Sequence, residues 1–292
     1  LGVMGTHDVL HKLGIFYDSK EAVELCDRVQ EFISLHAIKT SAILAKERGT
    51  YPTFGGSEWD KGNFPIDTYC KLLSERKPVG IEEDKESFET LEEWAGVRDL
   101  VEKHGMRNSN VMAIAPTATI SYIQGCSQSI EPDYSVLFVY STLSGEFTMI
   151  NEHFVAAAKK AGIWSQALVD ALKSVDGDVN ALVGLDDSLK EQFKNAFDID
   201  FHTLIEAAAA RQKWIDMGQS LNLYNKHESL KYLNDMYLYA WEKGLKTTYY
   251  LRSKAATRLE KSTISDANVK NESIINEPKA CSILDPGCES CQ

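Results

Sequence analysis

Residues 110–121 read NVMAIAPTATIS, a short apolar run followed by a turn of small and hydroxyl-bearing residues. The run 110–115 is typical of a buried strand, and Pro116 ends it, because proline cannot donate to a ladder and holds the residue before it extended. Helical patterns lie on both sides of this stretch. Strands that alternate with helices predict an α/β sheet or barrel.

Upstream of this stretch, apolar residues recur at helical spacing and predict one long amphipathic helix over 22–46, which Gly49 stops. The segment 51–65 is rich in glycine, proline and aromatic residues and predicts an ordered surface loop. The acid-rich segment 81–103 predicts a solvated helix.

Downstream, the pattern predicts a second buried strand at 136–140 (VLFVY) and a β-branched, aromatic strand at 246–252 (KTTYYLR). Helices are predicted at 146–161, 165–173, 187–197, 200–218 and 229–243, the last closed by Gly244. The strong strands are too few to close a barrel by themselves.

Composition restricts the class of protein. The 292 residues are 43% hydrophobic and carry a net charge of −12, which disfavours direct nucleic-acid binding. The absence of a long apolar run and of a signal peptide predicts a cytoplasmic protein without a membrane segment. We expect residues 1–261 to form one folded portion and 262–292, where periodicity stops, a mobile tail. The opening at Leu1, without a polar lead-in, suggests a piece of a longer polypeptide.

The turn 116–121, called here the hydroxyl loop, is the first candidate site. Its free backbone N–H groups and the hydroxyls of Thr117, Thr119 and Ser121 could form a cradle for a phosphate, above all if a helix begins next. A capped strand-to-helix turn is the alternative, because serine and threonine favour such turns.

Tyr249 and Tyr250, the tyrosine pair, form the second candidate site. Two phenols can donate hydrogen bonds or, when oxidised, pass an electron and a proton between them. Neighbouring side chains on a regular strand point to opposite faces, so stacked rings require a local break in the strand. The alternative is that the pair belongs to the core, since strands are enriched in tyrosine.

Cys288 and Cys291 form a C-x-x-C near the end of the chain and are the third candidate site. Two thiols at this spacing can close a disulfide and exchange with external thiols. Zinc is the competing interpretation, but Cys281 is the one plausible local third ligand. We expect Cys26, Cys70 and Cys126 to be buried or incidental thiols, and the seven histidines show no metal-ligand spacing.

Taken together, these features resemble the C-terminal part of the large, catalytic subunit of class I ribonucleotide reductase. The matching stretches are LGVMGTHDVL, ERGTYPTFGGSEWDKG, HGMRNSNVMAIAPTATISYIQGCSQSIEP, SLNLY, GLKTTYYLRSKAAT and the cysteine-terminated tail. The resemblance implies a ten-stranded α/β barrel, of which this chain supplies mainly the C-terminal half.

The resemblance also implies roles for individual residues. The loop that binds the substrate's phosphates matches Pro116, Thr117, Ala118, Thr119, Ile120 and Ser121. Tyr249 and Tyr250 match a dyad that relays a radical, and Cys288 and Cys291 match the pair that re-reduces the active-site disulfide. Glu131 lies in the family's IEP segment, near the site, without an assigned chemical step.

The family's Asn-x-Cys-x-Glu element and the two cysteines of the active-site disulfide have no match in this chain. The resemblance therefore implies dependence on an N-terminal portion, a metal-containing small subunit that supplies the radical, thioredoxin or glutaredoxin as reductant, and a ribonucleoside diphosphate as substrate. No metal or other cofactor is expected on this chain itself.

Two alternatives compete with this interpretation. An adenosylcobalamin-dependent relative shares the barrel and the cysteine tail, but a cofactor that makes its radical beside the site needs no tyrosine relay. A non-enzymatic redox or zinc-binding interaction module with a C-terminal C-x-x-C is the alternative from another class of protein.

Overall fold

The computed structural model describes residues 1–76, 92–142, 145–227 and 229–253. The helices are α1 Thr6–Leu13, α2 Lys20–Arg48, α3 Pro65–Arg76, α4 Glu92–His104, α5 Ile120–Gln124, α6 Glu152–Lys160, α7 Gln166–Ser174, α8 Asp187–Gln192, α9 Phe201–Gln212 and α10 Leu230–Glu242. The strands are β1 Leu137–Thr142, β2 Gly145–Ile150, β3 Leu223–Asn225 and β4 Leu251–Ser253. Within these ranges no helix has the length and apolarity that a membrane crossing requires.

The long helix predicted over 22–46 is confirmed as α2. The Ser19 hydroxyl caps its first turn by accepting the Ala22 N–H, and the helix ends before Gly49, whose φ of 79° is readily adopted by glycine. The buried face of α2 packs against α4 and α9 and includes Cys26, as predicted. This helix therefore contributes side chains to two of the buried clusters described next.

Apolar side chains form three buried clusters. The first lies among α2, α9, α10 and the extended segments that carry the candidate site, and it includes Ile114, Ile205 and Leu223. The second packs Trp94 against Trp214, with ring centroids 5.5 Å apart, between α2 and α4. The third lies within residues 136–193. The extended segments of the site thus rest on the largest of the three clusters.

The stretch 110–115 is extended and partly buried, but it does not form a regular strand. Ala113 N–H donates to the Leu1 carbonyl, Ile114 N–H donates to the Gly218 carbonyl, and Ser220 N–H donates to the Ile114 carbonyl. Ile114 forms a parallel bridge with Gln219. The buried-strand prediction is therefore right in conformation and wrong in pairing, because the segment pairs with irregular neighbours.

The predicted buried strand at 136–140 corresponds to β1, which pairs antiparallel with β2 in a hairpin. Val136 and Leu137 are buried, but Val139 is 37% exposed, so only the start of the strand joins the core. The helix predicted over 146–161 is wrong in its first half. Residues 145–150 form β2, and cross-strand pairing outweighs the weak helical pattern there.

The remaining helices lie where the sequence predicts them, but two of them end earlier than predicted. The prediction for 165–173 is confirmed by α7 and that for 229–243 by α10, and Gly244 follows α10 with a φ of 78°. The helix predicted over 187–197 stops at Gln192, and the one predicted over 200–218 stops at Gln212. The described part of the helix predicted at 81–103 is α4.

The fold is α/β, with β3 parallel to β4 in a second two-stranded sheet. The described residues contain no closed barrel, since their four strands form two separate pairs. The predicted boundary between 261 and 262, and the tail that follows it, lie outside the described residues.

Candidate active site

The hydroxyl loop follows the extended stretch 110–115 and leads into α5. Thr117 has a left-handed φ of 53°, and its hydroxyl oxygen accepts the Ser129 N–H at 2.8 Å. Ala118, Thr119 and Ile120 are exposed, and in the described chain the N–H groups of Ala118 and Thr119 have no hydrogen-bond acceptor. The loop therefore presents free donors where a short helix begins.

The three hydroxyls of the loop have different surroundings. Ser121 is fully buried, and its hydroxyl donates to the Thr117 carbonyl at 2.7 Å, so it shapes the loop and does not face solvent. Thr119 is exposed and makes no side-chain capping bond to α5. Both interpretations of this loop, a phosphate cradle and a capped turn, therefore apply in part. Ser121 stabilises the turn, while Thr119 is accessible to a ligand.

Glu131 lies buried between the loop and the tyrosine pair. Its carboxyl accepts the Asn222 N–H at 3.0 Å and the Tyr224 hydroxyl at 2.9 Å. Burial raises the pKa of Glu131 to about 7, although these two hydrogen bonds and the nearby charge of Arg211 oppose the rise. The resemblance placed Glu131 near the site, and Asn222 and Tyr224 lie in the matching stretch SLNLY, but no contact between them and Glu131 was predicted.

The tyrosine pair lies directly before β4, and the backbone of Tyr250 already bonds to Leu223 at the start of β3. The Tyr249 hydroxyl donates to the Tyr250 hydroxyl at 3.2 Å, and the ring centroids are 4.0 Å apart. The break in strand geometry that stacking requires is thus present. Tyr249 is 46% exposed and Tyr250 52%, so the pair does not belong to the core that the described residues form.

The hydrogen bond between the two phenols favours the protonated form of Tyr249. The hydrogen bond with Tyr250 raises the pKa of Tyr249 above its ordinary value. The guanidinium of Arg252 lies 5.0 Å from the centroid of the Tyr250 ring, a cation–π distance. Two phenols in direct hydrogen-bond contact can pass a hydrogen atom from one to the other.

Backbone hydrogen bonds connect the loop to the tyrosine pair. The segment 129–131 contacts Thr117 through Ser129 and Asn222 through Glu131. The Asn222 side-chain oxygen then accepts the Tyr250 N–H at 3.2 Å. The Tyr249 N–H and the Tyr250 carbonyl bond to Leu221 and Leu223, respectively. The two candidate sites are therefore parts of one connected framework.

A second group of polar side chains lies beside this framework, and the sequence analysis missed it. His7 and His11 are four residues apart on α1, and both imidazoles lie 3.2 Å from one carboxylate oxygen of Asp133. Burial lowers the pKa of His11 to about 4, even though its hydrogen bond to Asp133 opposes this. His7, His11 and Asp133 are called here the histidine cluster. The i, i+4 spacing of the two histidines was the signal in the sequence.

Within the described residues, the thiols of Cys70 and Cys126 belong to neither group. Cys70 is exposed on α3, and Cys126 is half-buried just after α5. Burial raises the pKa of the Cys126 thiol above its usual range, which disfavours the reactive thiolate. Cys281, Cys288 and Cys291 lie outside the described residues, so the C-x-x-C remains a prediction.

Comparison with known proteins identifies the family of the chain. The family model of the ribonucleotide reductase barrel domain matches residues 1–251. The chain is 49% identical to the ribonucleoside-diphosphate reductase subunit alpha of Chlamydia trachomatis over 307 aligned residues, which cover the whole chain and 29% of that protein. It is 34% identical to the large subunit of Arabidopsis thaliana over 278 aligned residues, covering 95% of the chain and 32% of the relative.

A solved structure shows the same similarity. The alpha subunit of the Actinobacillus ureae class Id ribonucleotide reductase superposes with a TM-score of 0.64 at 28% identity, over 88% of this chain and 39% of that one. The chain thus spans about a third of the length of the relatives it matches. With a family match over most of its residues and close relatives over all of them, the chain belongs to the ribonucleotide reductase large-subunit family, within the barrel domain.

Proposed function

We propose that this chain is part of the catalytic subunit that reduces ribonucleoside diphosphates to deoxyribonucleotides by radical chemistry. The names of its relatives, ribonucleoside-diphosphate reductase subunit alpha and large subunit, support this reaction and this substrate class. The chain supplies the phosphate loop, the radical relay and the tail dithiol. The N-terminal portion supplies the thiyl-forming cysteine, so this chain does not turn over substrate alone.

One observation carries the proposal: hydrogen bonds fix the hydroxyl loop and, through Asn222, the tyrosine pair to one short buried segment, residues 129–131. Ser129 and Glu131 lie on one short segment, and they hold Thr117 and Asn222, respectively. A reductase needs this coupling, because the relay must deliver the radical beside a substrate whose position its phosphates set. A loop and a tyrosine pair that served only packing would not need a shared scaffold.

The hydroxyl loop binds the substrate's phosphates in this proposal. The free N–H groups of Ala118 and Thr119 and the exposed Thr119 hydroxyl donate to phosphate oxygens. Thr117 and Ser121 keep the loop in shape. Because the net charge of the chain is −12, the anion is held by these local donors and not by a general positive field.

The tyrosine pair relays the radical. When one phenol has lost an electron and a proton, it takes the hydrogen atom from its partner's hydroxyl across the 3.2 Å contact, and the radical moves to the partner without a change of net charge. The metal-containing small subunit supplies the first oxidation, and the relay returns the hydrogen atom after turnover.

The tail dithiol reduces the active-site disulfide after turnover. One thiolate of Cys288 and Cys291 attacks the active-site disulfide, and the second resolves the mixed disulfide. The active-site thiols are thereby reduced, the tail pair becomes a disulfide, and thioredoxin or glutaredoxin reduces it in turn. Membership of the reductase family favours this interpretation over a non-enzymatic redox or zinc-binding module.

The test is deoxynucleotide formation from a ribonucleoside diphosphate by the chain, a matching N-terminal portion, a radical-bearing small subunit and thioredoxin. We expect activity only with every component present. Tyr250→Phe should abolish it, because the variant lacks the hydroxyl that carries the hydrogen atom. Cys291→Ser should allow about one turnover per active site before reduction stops.

Matched substitutions control for damage to the fold. Tyr51→Phe removes a phenol from another part of the core, and Cys70→Ser removes an exposed thiol on α3, so both should keep activity. A Tyr250→Phe variant with full activity, or turnover that depends on adenosylcobalamin and not on the small subunit, would contradict the relay. Folded, associated components without any product would contradict the whole proposal.

A further inference from the structure

The histidine cluster joins two separate parts of the chain through three potential metal ligands. His7 and His11 project from one face of α1, and Asp133 follows Glu131 in the segment that supports the hydroxyl loop. One ligand atom from each residue lies within 4.8 Å of the other two, and both histidines are buried. Two imidazoles and a carboxylate are a ligand set typical of zinc and related divalent ions.

We propose that the histidine cluster binds one divalent transition-metal ion of the zinc type, with His7, His11 and Asp133 as ligands and a water molecule in the remaining position. In a tetrahedral zinc site with ligands at about 2.0–2.1 Å, neighbouring ligand atoms lie about 3.3 Å apart. Two of the three separations here, from Asp133 to each imidazole, are 3.2 Å. These two distances are therefore already close to the distance between neighbouring ligand atoms in such a site.

The hydrogen bonds of the cluster show what an ion would replace. The Nδ1 atom of His7 accepts the backbone N–H of Asp133 at 2.8 Å and lies 3.2 Å from the carboxylate oxygen of the same residue. That oxygen also accepts the side-chain amide of Asn151 at 2.6 Å. An imidazole nitrogen has one lone pair, so the bound ion would take the place of the Asp133 N–H at His7 Nδ1.

A further polar atom lacks a partner in the described structure. The Nδ1 atom of His11 is buried without a hydrogen-bond partner, while its Nε2 atom faces Asp133. The Nε2 atom is the one that would bind the ion, and the side chain of Asp133 is 23% exposed, which leaves an opening toward solvent. Neutral imidazole is the form that binds metal.

The position of the cluster suggests a structural role beside the substrate loop. On the same helix, the Asp8 carboxylate accepts the Ser127 N–H at 2.7 Å, so α1 already contacts the segment that begins after α5. The metal would add a stronger link between α1 and this segment, two residues beyond Glu131. We expect the bound ion to stabilise the framework and not to take part in radical transfer.

The test uses the full 292-residue chain with Cys281, Cys288 and Cys291 changed to serine, which removes the tail thiolates as a competing zinc site. The metal-free protein is titrated with Co²⁺, whose visible absorption reports tetrahedral coordination, and then with Zn²⁺ in competition. We expect about one ion per chain and a rise in melting temperature on binding.

Two substitutions of proposed ligands and one control substitution test the proposal. Asp133→Asn keeps the shape of the side chain and His7→Gln keeps most of its volume, and each should weaken Co²⁺ binding by at least about 100-fold and remove the tetrahedral spectrum. His36→Gln changes an exposed histidine on α2 and should leave both unchanged. Circular dichroism verifies that each variant is folded. Absence of a tetrahedral spectrum in the parent protein, or an unchanged spectrum in a folded Asp133→Asn variant, would overturn the proposal.

Discussion

Glu131 is the residue whose protonation most directly affects the framework of the site. Its pKa is raised from 4.5 to about 7 by burial, so the folded protein holds a proton that the unfolded chain releases near 4.5. Between these two values the native state binds more protons than the unfolded state. The stabilising effect is therefore complete below about pH 4.5 and is lost as the pH rises through about 7.

Glu131→Gln removes this dependence, because glutamine stays neutral and can still accept the Asn222 N–H. The shift corresponds to a free energy on the order of 3 kcal/mol. We expect the stability of the variant relative to the wild type to rise by about this amount between about pH 5 and about pH 8. Urea unfolding at both pH values measures it, with the exposed Glu102→Gln as control. A relative stability independent of pH would refute the raised pKa.

Thr117 affects the loop through a single hydrogen bond. Its hydroxyl oxygen accepts the N–H of Ser129, which is fully buried, so Thr117→Ala leaves that N–H without an acceptor. We expect a loss of about 1–3 kcal/mol in the free energy of unfolding. Thr117→Ser keeps the oxygen and should lose much less. Denaturant unfolding of the two variants distinguishes them, and equal losses would mean that the hydrogen bond is unimportant.

At the scale of elements, Asp216 fixes the extended stretch that carries the loop. Its two carboxylate oxygens accept the N–H groups of Val111 and Met112, each at 2.7 Å. Asp216→Asn replaces one acceptor with a donor that faces an N–H group. We expect the free energy of unfolding to fall by about 1–3 kcal/mol, which the midpoint of urea unfolding reports. Asp99→Asn, at an exposed position of α4, is the control. A similar loss of stability in this variant would argue against a specific role for the two hydrogen bonds to Asp216.

The elements that the sequence predicted well are those whose ends are set locally. Ser19 and Gly49 fix the ends of α2 through a side-chain cap and a left-handed backbone, and both signals are visible in the sequence. The hairpin of β1 and β2 was missed because β2 depends on pairing with residues 137–142. The extended stretch 110–115 was recognised by its apolar run, but its partners lie about a hundred residues away.

The residues of the candidate site also divide into those that the local sequence reveals and those that distant contacts determine. The hydroxyl loop and the tyrosine pair were found because each is a contiguous motif whose chemistry its residue types express. Asn222 and Tyr224 lie in the matching stretch SLNLY, but their roles were not predicted, since their contacts with Glu131 span about ninety residues of sequence. The histidine cluster was missed for the same reason: its third member, Asp133, joins α1 only through the tertiary fold.

At the scale of the whole molecule, the sheet of β3 and β4 is incomplete. Parallel strands are normally covered on both faces and continued by neighbours, yet all three residues of β4 are exposed. The family is that of a barrel domain, and the chain covers 29% of its Chlamydia trachomatis relative. We therefore expect the N-terminal portion of the large subunit to cover this sheet and to continue it with strands of its own.

Hydrogen exchange tests this expectation. Adding the N-terminal portion should slow amide exchange in β3 and β4 by at least about tenfold, because a sheet that gains a partner opens less often. The hairpin of β1 and β2 already pairs within the chain, so its amides serve as the internal control and should change less. If the two portions associate and β3 and β4 exchange as fast as before, the contact lies elsewhere and the sheet does not continue into the missing part of the barrel. Slowed exchange confined to these strands would instead place the junction of the two portions beside the tyrosine pair, where the Tyr250 carbonyl already accepts the Leu223 N–H at 2.8 Å.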